Sequence, residues 1–151
     1  MANDVNGIPD RSDDFSDLRQ RIDACTVIIE SPETTVEQKA EALGKRGVAK
    51  YQLSDAQGAI ADFTAVLDMH DATAEQKAWA LYNRGLAKNN LSDAQGAITD
   101  YTTVLGMPDV SAKQKAWALF NRGAAKNWLG NVEGEINDYT AVIDMPDAPA
   151  D

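Results

Sequence analysis

The sequence predicts an all-α fold, a stack of helix–turn–helix repeats with about seven helices. Three observations predict it. The run KAWALYNRGLAKNNLSDAQGAITDY from Lys77 returns as KAWALFNRGAAKNWLGNVEGEINDY from Lys115, and a more diverged copy, KAEALGKRGVAKYQLSDAQGAIADF, starts at Lys39, so the spacing is 38 residues without insertion. Within each copy, apolar residues recur at the i, i+3, i+4, i+7 spacing of half-buried helices, as at Ala97, Ile98, Tyr101, Val104 and Leu105. Residues that start and stop helices fall at equivalent places in the copies.

The elements follow in order. Residues 1–12 hold Asn, Asp, Gly and Pro with little apolar content, and are expected to form a mobile acidic tail. The repeat domain, residues 13–146, opens with half a unit at 16–32. Its helix, 16–30, aligns with the second helix of a unit, because Ile22, Cys25, Ile28 and Ile29 match Ile98, Tyr101, Val104 and Leu105. Full units span 36–70, 74–108 and 112–146. Their first helices are predicted at 36–52, 74–90 and 112–128, and their second helices at 54–68, 92–106 and 130–144. Residues 147–151 make a short C-terminal tail.

Thr35, Thr73 and Ser111 each precede a glutamine by three residues (Gln38, Gln76, Gln114), and Ser54 and Ser92 stand so to Gln57 and Gln95. These pairs read as capping boxes, in which hydroxyl and amide satisfy the orphaned N–H groups of a helix start. In the last copy Gly130 and Glu133 replace serine and glutamine, so that helix is expected to start less firmly. Pro32, Pro108 and Pro146 follow the second-type helices, with His70 in that slot of the middle copy.

Leu81, Gly85, Leu91, Ala97, Tyr101 and Pro108 occur in the order and nearly the spacing of the tetratricopeptide repeat, which the chain resembles over residues 16–146. The resemblance implies a right-handed superhelix with the first-type helices along its concave wall, and a role in binding proteins. The family's unit is about 34 residues; the extra turn here falls at the front of the first helix. Glu135 departs from the pattern, standing where Ala59 and Ala97 stand. Val142 and Ile143 have no following helix in this sequence to cover them, which would favour homo-oligomers or a segment of a longer array.

The same resemblance implies which residues line the wall. They are Trp79, Tyr82, Leu86, Asn89 and Asn90 in the second copy, and Trp117, Phe120, Ala124, Asn127 and Trp128 in the third. The first copy offers Glu41, Gly44, Val48, Tyr51 and Gln52. Rings bury area while amides pair with a peptide backbone, so this set suits an extended or helical peptide. The alternative is that Trp79 and Trp117 seal adjacent helices against each other. Asn83 and Asn121 match an asparagine of the clamp by which some members hold a C-terminal carboxylate. The lysines of that clamp have no counterpart here, so a chaperone-tail clamp is not expected.

Charge is segregated. The first-type helices hold eleven of the 14 Lys and Arg but only Glu37, Glu41 and Glu75 among the acids. A wall less acidic than the outside would steer acidic segments inward. Against that, Arg46, Arg84 and Arg122 recur with Asp62, Asp100 and Asp138, as structural ion pairs would.

Other classes are disfavoured. A net charge of −10 opposes nucleic-acid binding. No apolar run approaches the roughly 20 residues of a membrane helix, and MANDVNGIPD lacks the pattern of a secretory signal, which favours the cytoplasm. His70 is the sole histidine and Cys25 the sole cysteine, the latter at a buried register. No catalytic, metal or cofactor site is therefore expected. The expected partner is a protein or peptide, bound by a scaffold; the alternative is a self-assembling unit stacked through its last helix.

Overall fold

A computed structural model describes residues 11–146. Those residues form seven α-helices and no strand: α1 (Arg11–Glu30), α2 (Val36–Gln52), α3 (Ala56–Asp68), α4 (Ala74–Asn90), α5 (Ala94–Gly106), α6 (Ala112–Trp128) and α7 (Val132–Ile143). Each helix packs on the next in sequence, and α2–α4 and α4–α6 also touch. The first-type helices have the predicted bounds. The expected tails lie outside the described residues, except that Arg11 and Ser12 are helical: α1 begins five residues before the predicted 16.

Capping explains the starts of α2, α4 and α6. Thr35, Thr73 and Ser111 each accept from the backbone N–H of the glutamine three residues on, and each glutamine side chain returns the bond. Gln76 does more, since its Nε2 reaches the Glu37 carbonyl at 3.3 Å and ties one unit to the one before.

The second-type helices start differently from the sequence reading. Ser54 and Ser92 are not caps: they have φ of +65° and +64°, in the left-handed region. Each follows the C-cap of the first helix and closes it in a Schellman turn. In the first copy Ser54 N–H bonds the Tyr51 carbonyl and Asp55 N–H the Lys50 carbonyl, at 2.9 and 2.8 Å. The N-caps are Asp55, Asp93 and Asn131, whose side chains accept from Gly58, Gly96 and Gly134. One residue, aspartate in two units and asparagine in the third, thus ends one helix and begins the next. Gly130 occupies the left-handed position at φ +77°, where glycine is unstrained, so α7 does not start less firmly than α3 or α5.

The core is built from small residues on the first-type helices and rings or Val on the second. Ala49, Ala59, Ala87, Ala97, Tyr101 and Val104 are fully buried, and Phe63 and Val66 nearly so. A ring such as Phe63 contributes about 2–3 kcal/mol through burial. The rings fit because glycine faces them: a Cβ on Gly47 would lie 2.8 Å from Phe63, one on Gly85 2.6 Å from Tyr101, and one on Gly123 2.8 Å from Tyr139. Cys25 is buried, and burial pushes its thiol pKa up, in keeping with a packing role.

Arginine stitches helices together once per unit. Arg46, Arg84 and Arg122 each hold their aspartate (Asp62, Asp100, Asp138) by two bonds of 2.7 and 2.9 Å. The third nitrogen, Nη1, donates to Thr26, Thr64 or Thr102 on the preceding second-type helix. Lys50, Lys88 and Lys126 complete the network, each 2.9 Å from the same aspartate. Six of the eleven bases on the first-type helices are therefore engaged inside the fold, two on each of three aspartates, which cancel three of the six charges. That weakens, without abolishing, the positive field expected to draw acidic segments to this face.

Candidate functional site: the face of α2, α4 and α6

The repeat spacing stacks equivalent positions of α2, α4 and α6 side by side. One row is Glu41, Trp79 and Trp117; the next, one turn on, is Gly44, Tyr82 and Phe120. Each tryptophan leans back on the preceding unit's second row. Trp79 lies on Gly44, where a Cβ would come within 2.7 Å of the ring, and meets Phe63 edge-on at 5.9 Å. Trp117 stands 6.0 Å from Tyr82 at 32°. Phe120 stacks on Tyr139 at 5.3 Å.

The rings both seal and display. Trp79 is 38% exposed, Trp117 42% and Phe120 57%, so each keeps a face for solvent after packing. Tyr82 is half-buried, which pushes its phenol pKa up. Its hydroxyl accepts from Asn121 Nδ2 at 3.1 Å, across the boundary between units.

The amides are less available than the sequence suggests. Asn83 Nδ2 donates to the Trp79 carbonyl at 2.8 Å, and Asn121 Nδ2 to the Trp117 carbonyl at 2.9 Å, so both are tied to their own helix. Asn127 turns to Glu135, with Nδ2–Oε1 of 3.0 Å, which also gives that out-of-pattern carboxylate a partner. Asn89 and Asn90 remain exposed in the last turn of α4. Tyr51 is half-buried against the core of the first unit, and Trp128, at the end of α6, is 76% exposed. Tyr82, Trp117 and Asn121 thus form one linked cluster, Trp79 packs separately on Gly44 and Phe63, and Asn89, Asn90, Asn127 and Trp128 lie in the last turns of α4 and α6.

A cleft of about 290 Å³ opens beside Trp79, between α2 and α4. Its floor is Ala40, Gly44 and Val66, and Glu37, Glu41 and Glu75 rim it. The sequence alone puts Glu41 and Gly44 on this wall but gives no place at a site to Glu37 or Glu75. The signal was present: Gly44 is the small residue where Tyr82 and Phe120 stand in the other copies.

No helix among the described residues is long and apolar enough to cross a membrane. No protein-family model matches the chain, and no curated protein matches it with significance.

Proposed function

We propose that the chain is a tetratricopeptide-like scaffold whose stacked units form a right-handed solenoid, with α2, α4 and α6 along the concave wall, and that this wall binds a protein segment. The observation that carries the reading is the row of half-exposed rings. Trp79 and Trp117, one repeat apart, and Phe120, one turn beyond Trp117, each pack on one side and present the other on a single face. Preformed aromatic surface of this kind supplies contact area at little cost in side-chain entropy. Catalysis has no part in the reading.

Selection from a display library of short random peptides tests it, with bound positions mapped by amide chemical shifts. Shifts concentrated on α2, α4 and α6 support it. Peptides that bind only elsewhere, or none that bind, would refute it.

A second reading, self-association through α7, has its own support. Val132, Ile136 and Ile143 are 53%, 57% and 79% exposed, and Val132 replaces the nearly buried Ala56 and Ala94 of the earlier units. Charge weighs against a simple head-to-tail stack, because residues 129–151 carry no Lys or Arg while α1 exposes Asp14, Asp17, Asp23 and Glu30 against Arg19 and Arg21. Sedimentation equilibrium distinguishes the readings: a monomer at high protein concentration in high salt, where repulsion is screened, removes self-association.

A further inference from the structure

The tryptophan row carries its own indication of what binds it. In the third unit Lys113, one turn before Trp117, places its ammonium 4.8 Å from the centre of that ring. This is a cation–π contact made within the chain. The equivalent residue one unit earlier is Glu75. Trp79 therefore has the same kind of exposed ring face with a carboxylate, not an ammonium, beside it.

The surroundings agree. The cleft at Trp79 is lined by Glu37, Glu41 and Glu75 with the neutral Gln76 and Gln114; its one base, Lys45, is paired with Glu41 at 2.6 Å, which leaves Glu37 and Glu75 for an incoming charge. Its volume lies at the lower end of ligand sites, suited to one long side chain rather than a whole small molecule. The apolar floor would take the methylene stem of such a side chain, while ring and carboxylates hold the charged head.

We infer that the cleft between α2 and α4 is a subsite for a lysine or arginine side chain of a bound peptide. The inference rests on the peptide-binding reading above and gives it a polarity: a basic residue enters at Trp79. In the third unit Lys113 fills the equivalent place from within.

Glu75→Lys tests this directly, since it reproduces the third unit's arrangement at an exposed position and leaves the core untouched. Random-peptide libraries carrying a fixed central Arg, Lys, Gln or Glu are compared on the unaltered chain and on this variant. The chain should favour Arg or Lys over Gln by about tenfold, and Glu75→Lys should abolish the preference. Trp79→Leu, checked for folding by circular dichroism, should weaken Arg and Gln peptides unequally, Arg more. Equal binding of all four libraries to this face, or a preference that survives Glu75→Lys, overturns the inference while leaving peptide binding standing. Failure of every library to bind overturns both.

Discussion

Arg84 grips Asp100 through two parallel hydrogen bonds, Nε to Oδ2 at 2.9 Å and Nη2 to Oδ1 at 2.7 Å, and so fixes α4 against α5. Its remaining nitrogen reaches Thr64 on α3 at 3.1 Å, so one side chain joins three helices. Asp100 is buried, and its loss would strand Arg84 and Lys88. Asp100→Ala should cost about 3 kcal/mol or more in chemical denaturation, as breaking a buried pair usually does. Thr64→Val removes only the bond between units and should cost about 1 kcal/mol. Equal costs would mean that the arginine does not act chiefly through the aspartate.

The same network gives a pH dependence. Burial alone would raise the pKa of Asp138, but bonds from Arg122 and Lys126 outweigh it and hold the pKa below the ordinary 3.8. The folded carboxyl is thus the stronger acid, so its stabilisation is whole above about pH 4 and drains away as pH falls through the folded pKa. Asp138→Asn should lose about 2 kcal/mol at neutral pH, and the gap to the unaltered chain should narrow below pH 4. Urea midpoints measured across the acid range check this; a constant gap would contradict it.

Gly85 faces Tyr101 so closely that an added methyl would lie 2.6 Å from the ring. Tyr101 is fully buried and cannot retreat, whereas Tyr139, which faces Gly123, is only half-buried. Alanine at either site gains about 1 kcal/mol of helix propensity. Overpacking at Gly85 should exceed that gain and leave a net loss of about 1–2 kcal/mol. Gly123→Ala should be closer to neutral. Thermal unfolding of the two variants would show the difference.

Tyr101 Oη is a buried side-chain atom with no hydrogen-bond partner among the described residues, and burial drives its phenol pKa far up. The first unit has Phe63 at the same position. Tyr101→Phe removes the desolvation cost of that hydroxyl without a cavity and should stabilise the chain by about 1 kcal/mol. A loss of stability would mean that the hydroxyl is satisfied.

The all-helical fold was legible because the repeat supplied three readings of one pattern. Thr35, Thr73 and Ser111 marked the starts of the first-type helices without error. The starts at Asp55 and Asp93 were missed because serine followed three residues later by glutamine resembles a capping box, while the actual signal was aspartate followed by glycine at the same interval. Left-handed serine is costly, and nothing at Ser54 announced it beyond Gly130 in the equivalent place. At the site, pairing Arg46, Arg84 and Arg122 with their aspartates was readable from recurrence. That Lys50, Lys88 and Lys126 share those aspartates was not, because each lies one helical turn beyond its arginine and reads as an exposed charge. Nor was it readable that the amides of Asn83 and Asn121 bond carbonyls of their own helices, a local choice that composition does not record.

Three indole N–H signals, from Trp79, Trp117 and Trp128, report separately on the middle, the last unit and the end of α6. Titrating an arginine-centred peptide selected from the library into labelled protein, and following those signals, tests the central claim most directly. Binding along the face of α2, α4 and α6 should move Trp79 most and Trp117 next, with Trp128 little affected, and Glu75→Lys should suppress the Trp79 shift. Movement of Trp128 alone, or an undisturbed Trp79 at saturation, would contradict it.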